Sequence, residues 1–134
     1  MGRLYEYFAA PDDRAAATAL TAALEPPTFG DEGIPPEELA YLEALLTPRS
    51  LPEIRADPRL GAELATGVDE LSGVPECGVL AVTGTLTHAL AAADAGALAR
   101  AAAAWHGTAT VEGLAAVARH AVQHRLGMYC FWLV

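Results

Sequence analysis

Aromatic residues are concentrated at the two ends of the chain, where six of the nine lie. Residues 3–9 are rich in aromatic side chains and predict a strand. The last segment, residues 128–134, contains no charge, glycine or proline, which is typical of a strand buried on both faces in the centre of a sheet. We therefore expect the two terminal strands to lie side by side in one sheet, with Cys130 and Trp132 on the same face.

Between the terminal strands, apolar residues recur mostly at helical spacing. A capping box at Ser50 and an N-cap at Asp94 mark two helix starts. A short β-branched run at residues 79–83 predicts a third strand. Residues 25–38, with four prolines, predict a surface loop, and a loop is also predicted for residues 69–78. The predicted helices cover residues 12–24, 36–46, 51–56, 58–66, 85–93, 95–105 and 110–125.

This order of elements predicts a single α+β domain over residues 1–134. The terminal strands form part of a small sheet, and several alanine-rich helices pack mainly on one side of it. The alanine bias is expected of a GC-rich bacterial genome, and alanine is also the best helix former.

Composition and charge narrow the possible classes of partner. A hydrophobic content of 53% excludes disorder, and no apolar run approaches the roughly 20 residues that span a bilayer. The net charge of −9 opposes binding to nucleic acid or anionic lipid but permits a basic protein partner. Because Asp12 and Asp13 precede the apolar stretch 15–24, that stretch does not resemble a signal peptide, and a cytoplasmic location with free thiols at Cys77 and Cys130 is expected.

The loop around Phe29 combines an isolated aromatic side chain with the acids Asp31 and Glu32. An aromatic residue surrounded by negative charge is typical of a hot spot for a basic protein. The alternative is that Phe29 folds back onto the core and anchors the loop.

Glu6 is a second candidate, because it lies in a predicted strand between Tyr5 and Tyr7. A carboxylate there is hydrogen-bonded or paired with arginine, exposed at the margin of the sheet, or part of a binding cleft with the two tyrosines. His88 is a further residue that such a cleft could use.

His120 and His124 are spaced so that both imidazoles lie on one face of a helix, as two metal ligands would. The favoured interpretation is a basic helix end, formed with Arg119 and Arg125, that complements the helix dipole. We expect no metal and no cofactor. The sequence contains no phosphate-binding glycine loop, nucleophile elbow, zinc ribbon or EF-hand, which favours a non-enzymatic role.

The two ends of the chain carry a resemblance to a known family. Met1-Gly2 leads into an aromatic strand, and an alanine-rich helix leads into the segment from Met128 to Val134. This layout, over about the first 20 and the last 25 residues, resembles that of the YfbM-like family of small bacterial proteins. The resemblance implies a cytosolic α+β domain of unknown activity and assigns no functional residue.

Two functional hypotheses follow from the sequence. The first is a non-enzymatic acidic binding protein, such as an immunity-like or accessory protein, that contacts a basic partner through the loop around Phe29. The second is a small-molecule binding protein or enzyme with a pocket near Glu6 against the terminal sheet. The oligomeric state is left open by both.

Overall fold

A computed structural model describes residues 2–134, apart from the side chains of Asp31 and Glu32. This part of the chain forms five strands and six α-helices. The strands are β1 (Leu4–Ala10), β2 (Phe29–Glu32), β3 (Glu63–Val68), β4 (Pro75–Ala81) and β5 (Gly127–Leu133). The helices are α1 (Asp13–Ala17), α2 (Leu39–Leu46), α3 (Leu51–Arg55), α4 (Gly84–Ala92), α5 (Ala95–Ala104) and α6 (Thr108–Gln123), with short 3-10 turns at Thr18–Leu20 and Pro36–Glu38.

The strands form one antiparallel sheet in the order β2-β1-β5-β4-β3. Strand β5 lies at its centre, and β1 pairs with it along its whole length, with Tyr7 opposite Cys130. The predicted α+β class and the pairing of the two terminal strands are therefore confirmed. Both faces of β5 are covered, one by the core that contains Met128 and Cys130 and the other by the cluster that contains Tyr129, which explains why its sequence carries no charge.

The two faces of the sheet bury cores of unequal size. Tyr7, Met128 and Cys130 pack into the main core with residues of α2, α4, α5 and α6. Phe8 and Tyr129 face the other side, where a smaller cluster lies beneath α1. Most helices thus lie on one side, as the sequence predicts.

The segment between β1 and α2 differs from the prediction. The helix expected over residues 12–24 is reduced to α1 and a 3-10 turn, and the Thr18 hydroxyl donates to the carbonyl oxygen of Ala15 at 2.6 Å. A threonine that bonds to its own backbone competes with the helical pattern and favours a tighter turn. The loop expected over residues 25–38 contains β2, which adds to the edge of the sheet beside β1.

The helix predicted at residues 58–66 is wrong, because part of this segment forms strand β3. Its alanine, leucine and glutamate favour a helix locally, but pairing with β4 decides the conformation. Gly67 fits this pairing, since a Cβ there would overlap the Sγ atom of Cys77 on the neighbouring strand. Strand β4 is correspondingly longer than the predicted strand at 79–83 and begins at Pro75.

None of the helices in residues 2–134 combines the length and apolar character needed to cross a membrane.

Candidate functional site

Phe29 lies in β2 with its side chain turned towards α6. The ring is half-buried and packs against the main core over Gly113, where a Cβ atom would lie only 2.8 Å from the ring Cγ. The backbones of Asp31 and Glu32 pair with Tyr5 and Leu4 of β1, but their side chains lie outside the described part of the structure. The aromatic member of the predicted surface therefore serves as an internal anchor of the edge strand.

This packing predicts a sign reversal for Gly113→Ala. In the wild-type protein the new methyl group must displace Phe29, and overpacking of about 1–3 kcal/mol outweighs the roughly 1 kcal/mol gained in helix propensity. In a Phe29→Ala background the space is free, so the same substitution should raise the free energy of unfolding by about 1 kcal/mol. Urea denaturation of the four proteins measures both effects. Effects of equal sign in the two backgrounds would contradict the packing of Phe29 over α6.

Glu6 and Tyr7 occupy opposite faces of β1, because successive strand residues alternate. The Glu6 carboxylate accepts a hydrogen bond from the Thr28 hydroxyl at 2.8 Å. Tyr7 is completely buried, and its hydroxyl donates to the carbonyl oxygen of Ile34 at 2.6 Å. Burial raises the pKa of Tyr7 well above its usual range, so this tyrosine is a neutral core residue. Tyr5 packs, half-buried, at the edge of the same core.

The β3–β4 hairpin presents a different acidic surface. We call residues 63–76 the acidic hairpin, since they include four acids and no lysine or arginine. Its turn is ordered by Asp69, whose carboxylate accepts a hydrogen bond from the Ser72 hydroxyl at 2.8 Å and whose N–H donates to the carbonyl oxygen of Val74 at 2.9 Å. The hydrogen bond from Ser72 lowers the pKa of Asp69. This turn holds Leu71 at the tip with 98% of its surface exposed.

The sequence predicted a loop at the tip of the hairpin, but it did not identify Leu71 as a candidate binding residue. Ser72 and Gly73 are residue types that are common in turns. The backbone of Gly73 has a left-handed φ of 71°, which favours glycine. The exposure of Leu71, by contrast, depends on how the hairpin projects from the sheet. No local pattern in the sequence specifies that projection.

A third arrangement joins residues that are distant in sequence. The Arg59 guanidinium contacts both carboxylate oxygens of Asp13, at 2.6 and 2.9 Å, and the hydroxyl of Tyr129 donates to the same carboxylate at 2.9 Å. The hydrogen bond from Arg59 lowers the pKa of Asp13, while burial and the bond to Asp13 raise the pKa of Tyr129 to about 12. At neutral pH Asp13 and Arg59 therefore form an ion pair, and the phenol of Tyr129 beside them is neutral. Arg59 and Tyr129 also line a cleft beside α4.

The remaining candidate residues do not assemble into a metal or thiol site within residues 2–134. His120 and His124 have ring centroids 4.3 Å apart at the end of α6, and no cluster of three or more potential ligands includes them. Cys77 and Cys130 are both free thiols, as expected. Burial raises the pKa of Cys130 above its usual range, which makes it a poor nucleophile.

Comparisons with family models, with curated proteins and with solved structures gave no match to the chain. The resemblance to the YfbM-like family thus stays a prediction.

Proposed function

We propose that this protein is a non-enzymatic binding protein that recognises a basic protein partner through the acidic hairpin. The observation that carries the proposal is Leu71, a large apolar side chain exposed over 98% of its surface in a segment with four acids and no basic residue. Exposing leucine so completely is unfavourable in water, whereas an apolar pocket on a partner would remove that surface from solvent.

The charges around Leu71 define the chemistry of the partner. Glu70 and Glu76 are exposed, like Leu71 and Val74. A matching surface therefore presents an apolar pocket rimmed by lysine or arginine. Complementary charge speeds encounter and rejects acidic partners, while the desolvated apolar contact supplies most of the affinity.

The hairpin replaces the loop around Phe29 as the proposed contact. Phe29 packs against α6, so binding through its ring would require β2 to leave the core. Leu71 needs no such rearrangement, because the Asp69 turn already holds it outward. A preformed contact avoids the cost of ordering a loop on binding.

The second hypothesis, a small-molecule site at Glu6, has less support. Tyr7 is buried with its hydroxyl bonded to Ile34, and Glu6 is bonded to Thr28. Two of the groups proposed to contact a ligand are thus engaged in holding β1 to its neighbours.

A selection from a random peptide-display library tests the proposal, because such a library presents basic, acidic and apolar side chains in many combinations. We expect the peptides enriched on the wild-type protein to combine lysine or arginine with an apolar anchor. A triple variant, Glu70→Gln, Leu71→Ser and Glu76→Gln, should bind them at least about tenfold more weakly, which corresponds to about 1.4 kcal/mol.

The matched control carries Glu25→Gln, Leu45→Ser and Glu112→Gln, which remove the same charges and an exposed leucine elsewhere. This control should bind the selected peptides as the wild type does. Enriched peptides without basic residues, or equal losses in the two triple variants, would refute the assignment of the hairpin.

A further inference from the structure

We propose that a cleft of about 200 Å³ between the start of β5 and the first turns of α4 binds a small oxyanion, such as the carboxylate or phosphate group of a metabolite. The polar side chains in its wall are Arg59, Thr87, His88 and Tyr129. They come from three separate segments of the chain, so only the folded protein brings them together. The site is separate from the acidic hairpin and does not depend on its function.

Arg59 is held in place before any ligand arrives. Its two-point contact with Asp13 fixes the plane of the guanidinium, and the Tyr129 hydroxyl donates to the same carboxylate. A guanidinium carries five N–H donors, of which the Asp13 contact uses one on each terminal nitrogen. Its further N–H groups can donate to a second acceptor, and a side chain that is already fixed loses little entropy when it binds one.

The chemistry of the wall favours an oxyanion over a cation. Asp13 is the carboxylate beside Arg59, and both of its oxygens already accept hydrogen bonds. The cleft thus offers a ligand the guanidinium of Arg59 and the exposed imidazole of His88, both of which can donate. Apolar side chains of Val82 and Met128 line the same cleft and would contact a short carbon chain.

The volume of the cleft limits the size of the ligand that it can hold. A volume of about 200 Å³ is smaller than the roughly 300–1,000 Å³ typical of pockets for drug-sized molecules. It suits a small acid or a phosphate ester with few carbon atoms. Because the overall charge of −9 opposes anion binding, we expect a modest affinity that depends on the local donors of the cleft.

Titrations with inorganic phosphate and with acetate, followed by amide chemical shifts in the wild-type protein, test the proposal. Sodium chloride of equal ionic strength serves as the reference. We expect saturable shifts at Gly84, His88 and Gly127 with at least one of the two anions and none with chloride. The anion that binds more tightly identifies whether a phosphate or a carboxylate is preferred.

Variants assign the binding to the named side chains. His88→Ala alters an exposed residue, so it should retain the fold while weakening anion binding about tenfold. Arg59→Lys removes the guanidinium fork and should also retain the fold and weaken binding about tenfold. The controls Arg119→Gln and His124→Ala, exposed at the end of α6, should bind as the wild type does. Absence of saturable shifts with both anions, or unchanged binding in both cleft variants, would overturn the proposal.

Discussion

Replacing Glu43 with alanine is expected to lower the free energy of unfolding by about 3 kcal/mol. Glu43 is a completely buried carboxylate on α2. It accepts hydrogen bonds from the hydroxyls of Thr83 and Thr85 and from the Arg49 guanidinium, the last at 2.7 Å. The substitution would remove the acceptor of all three groups at once.

The size of this effect follows from what remains after the substitution. Removing one partner of a buried charged pair typically costs about 3–5 kcal/mol, because the other partner stays desolvated. Arg49 is partly exposed and also contacts Asp57 at 3.2 Å, so we place the loss at the lower end of that range. Thr83 is also the N-cap of α4, and its orientation through Glu43 links the start of that helix to α2.

Chemical denaturation measures the loss of stability, and the m-value should be the same in the wild type and in Glu43→Ala. Glu43→Gln should be less destabilising than Glu43→Ala, since the amide keeps the volume and one acceptor oxygen. Glu112→Gln, on the exposed face of α6, is the control and should leave the midpoint unchanged. A midpoint for Glu43→Ala equal to that of the control would contradict a stabilising role for the buried network.

The second large effect is expected at Gly78, in the middle of β4. Gly78 is opposite Trp132 of β5, and a Cβ atom there would lie 2.7 Å from the indole Cε2 and 3.0 Å from the carbonyl oxygen of Ala65. The backbone of β3 cannot move without breaking its pairing, so the indole must be displaced. We expect Gly78→Ala to destabilise the protein by about 2–3 kcal/mol, at the upper part of the range for overpacking.

The position of the indole provides a direct test. Trp132 is buried, and the guanidinium carbon of Arg3 lies 4.2 Å from its ring centroid. In Gly78→Ala the indole N–H signal of Trp132 should shift, together with the reduced stability. Gly30→Ala is the matched strand control, because its Cβ would meet only ordinary contacts at 3.9 Å. Equal stability in the two variants would show that Trp132 does not occupy the space above Gly78.

Local signals predicted most helix starts and both terminal strands. The capping box at Ser50 forms as expected, with its hydroxyl accepting from the Glu53 N–H, and Asp94 caps α5. These interactions join residues three positions apart, so the sequence contains all of their information. The charge-free segment at the C-terminus likewise predicted the central position of β5.

The candidate surfaces were predicted less well, because they depend on which side chains the fold leaves exposed. Phe29 and Leu71 are both apolar residues in segments predicted as loops. Only the packing of β2 on α6 turns the first inward, and only the projection of the hairpin turns the second outward. The sequence singled out His88 but did not predict the cleft beside α4, since Asp13 and Arg59 are 46 positions apart and Asp13 and Tyr129 are 116 apart.

The sequence by itself therefore determined the α+β class, the adjacency of the two terminal strands and the acidic character of the protein, because hydrophobic periodicity, capping and charge are properties of neighbouring residues and of composition. The tertiary structure alone decided that residues 63–68 form an edge strand, that Leu71 is exposed, and that Arg59 and His88 share a cleft. Each of these depends on contacts between distant segments, and such contacts can override local propensity.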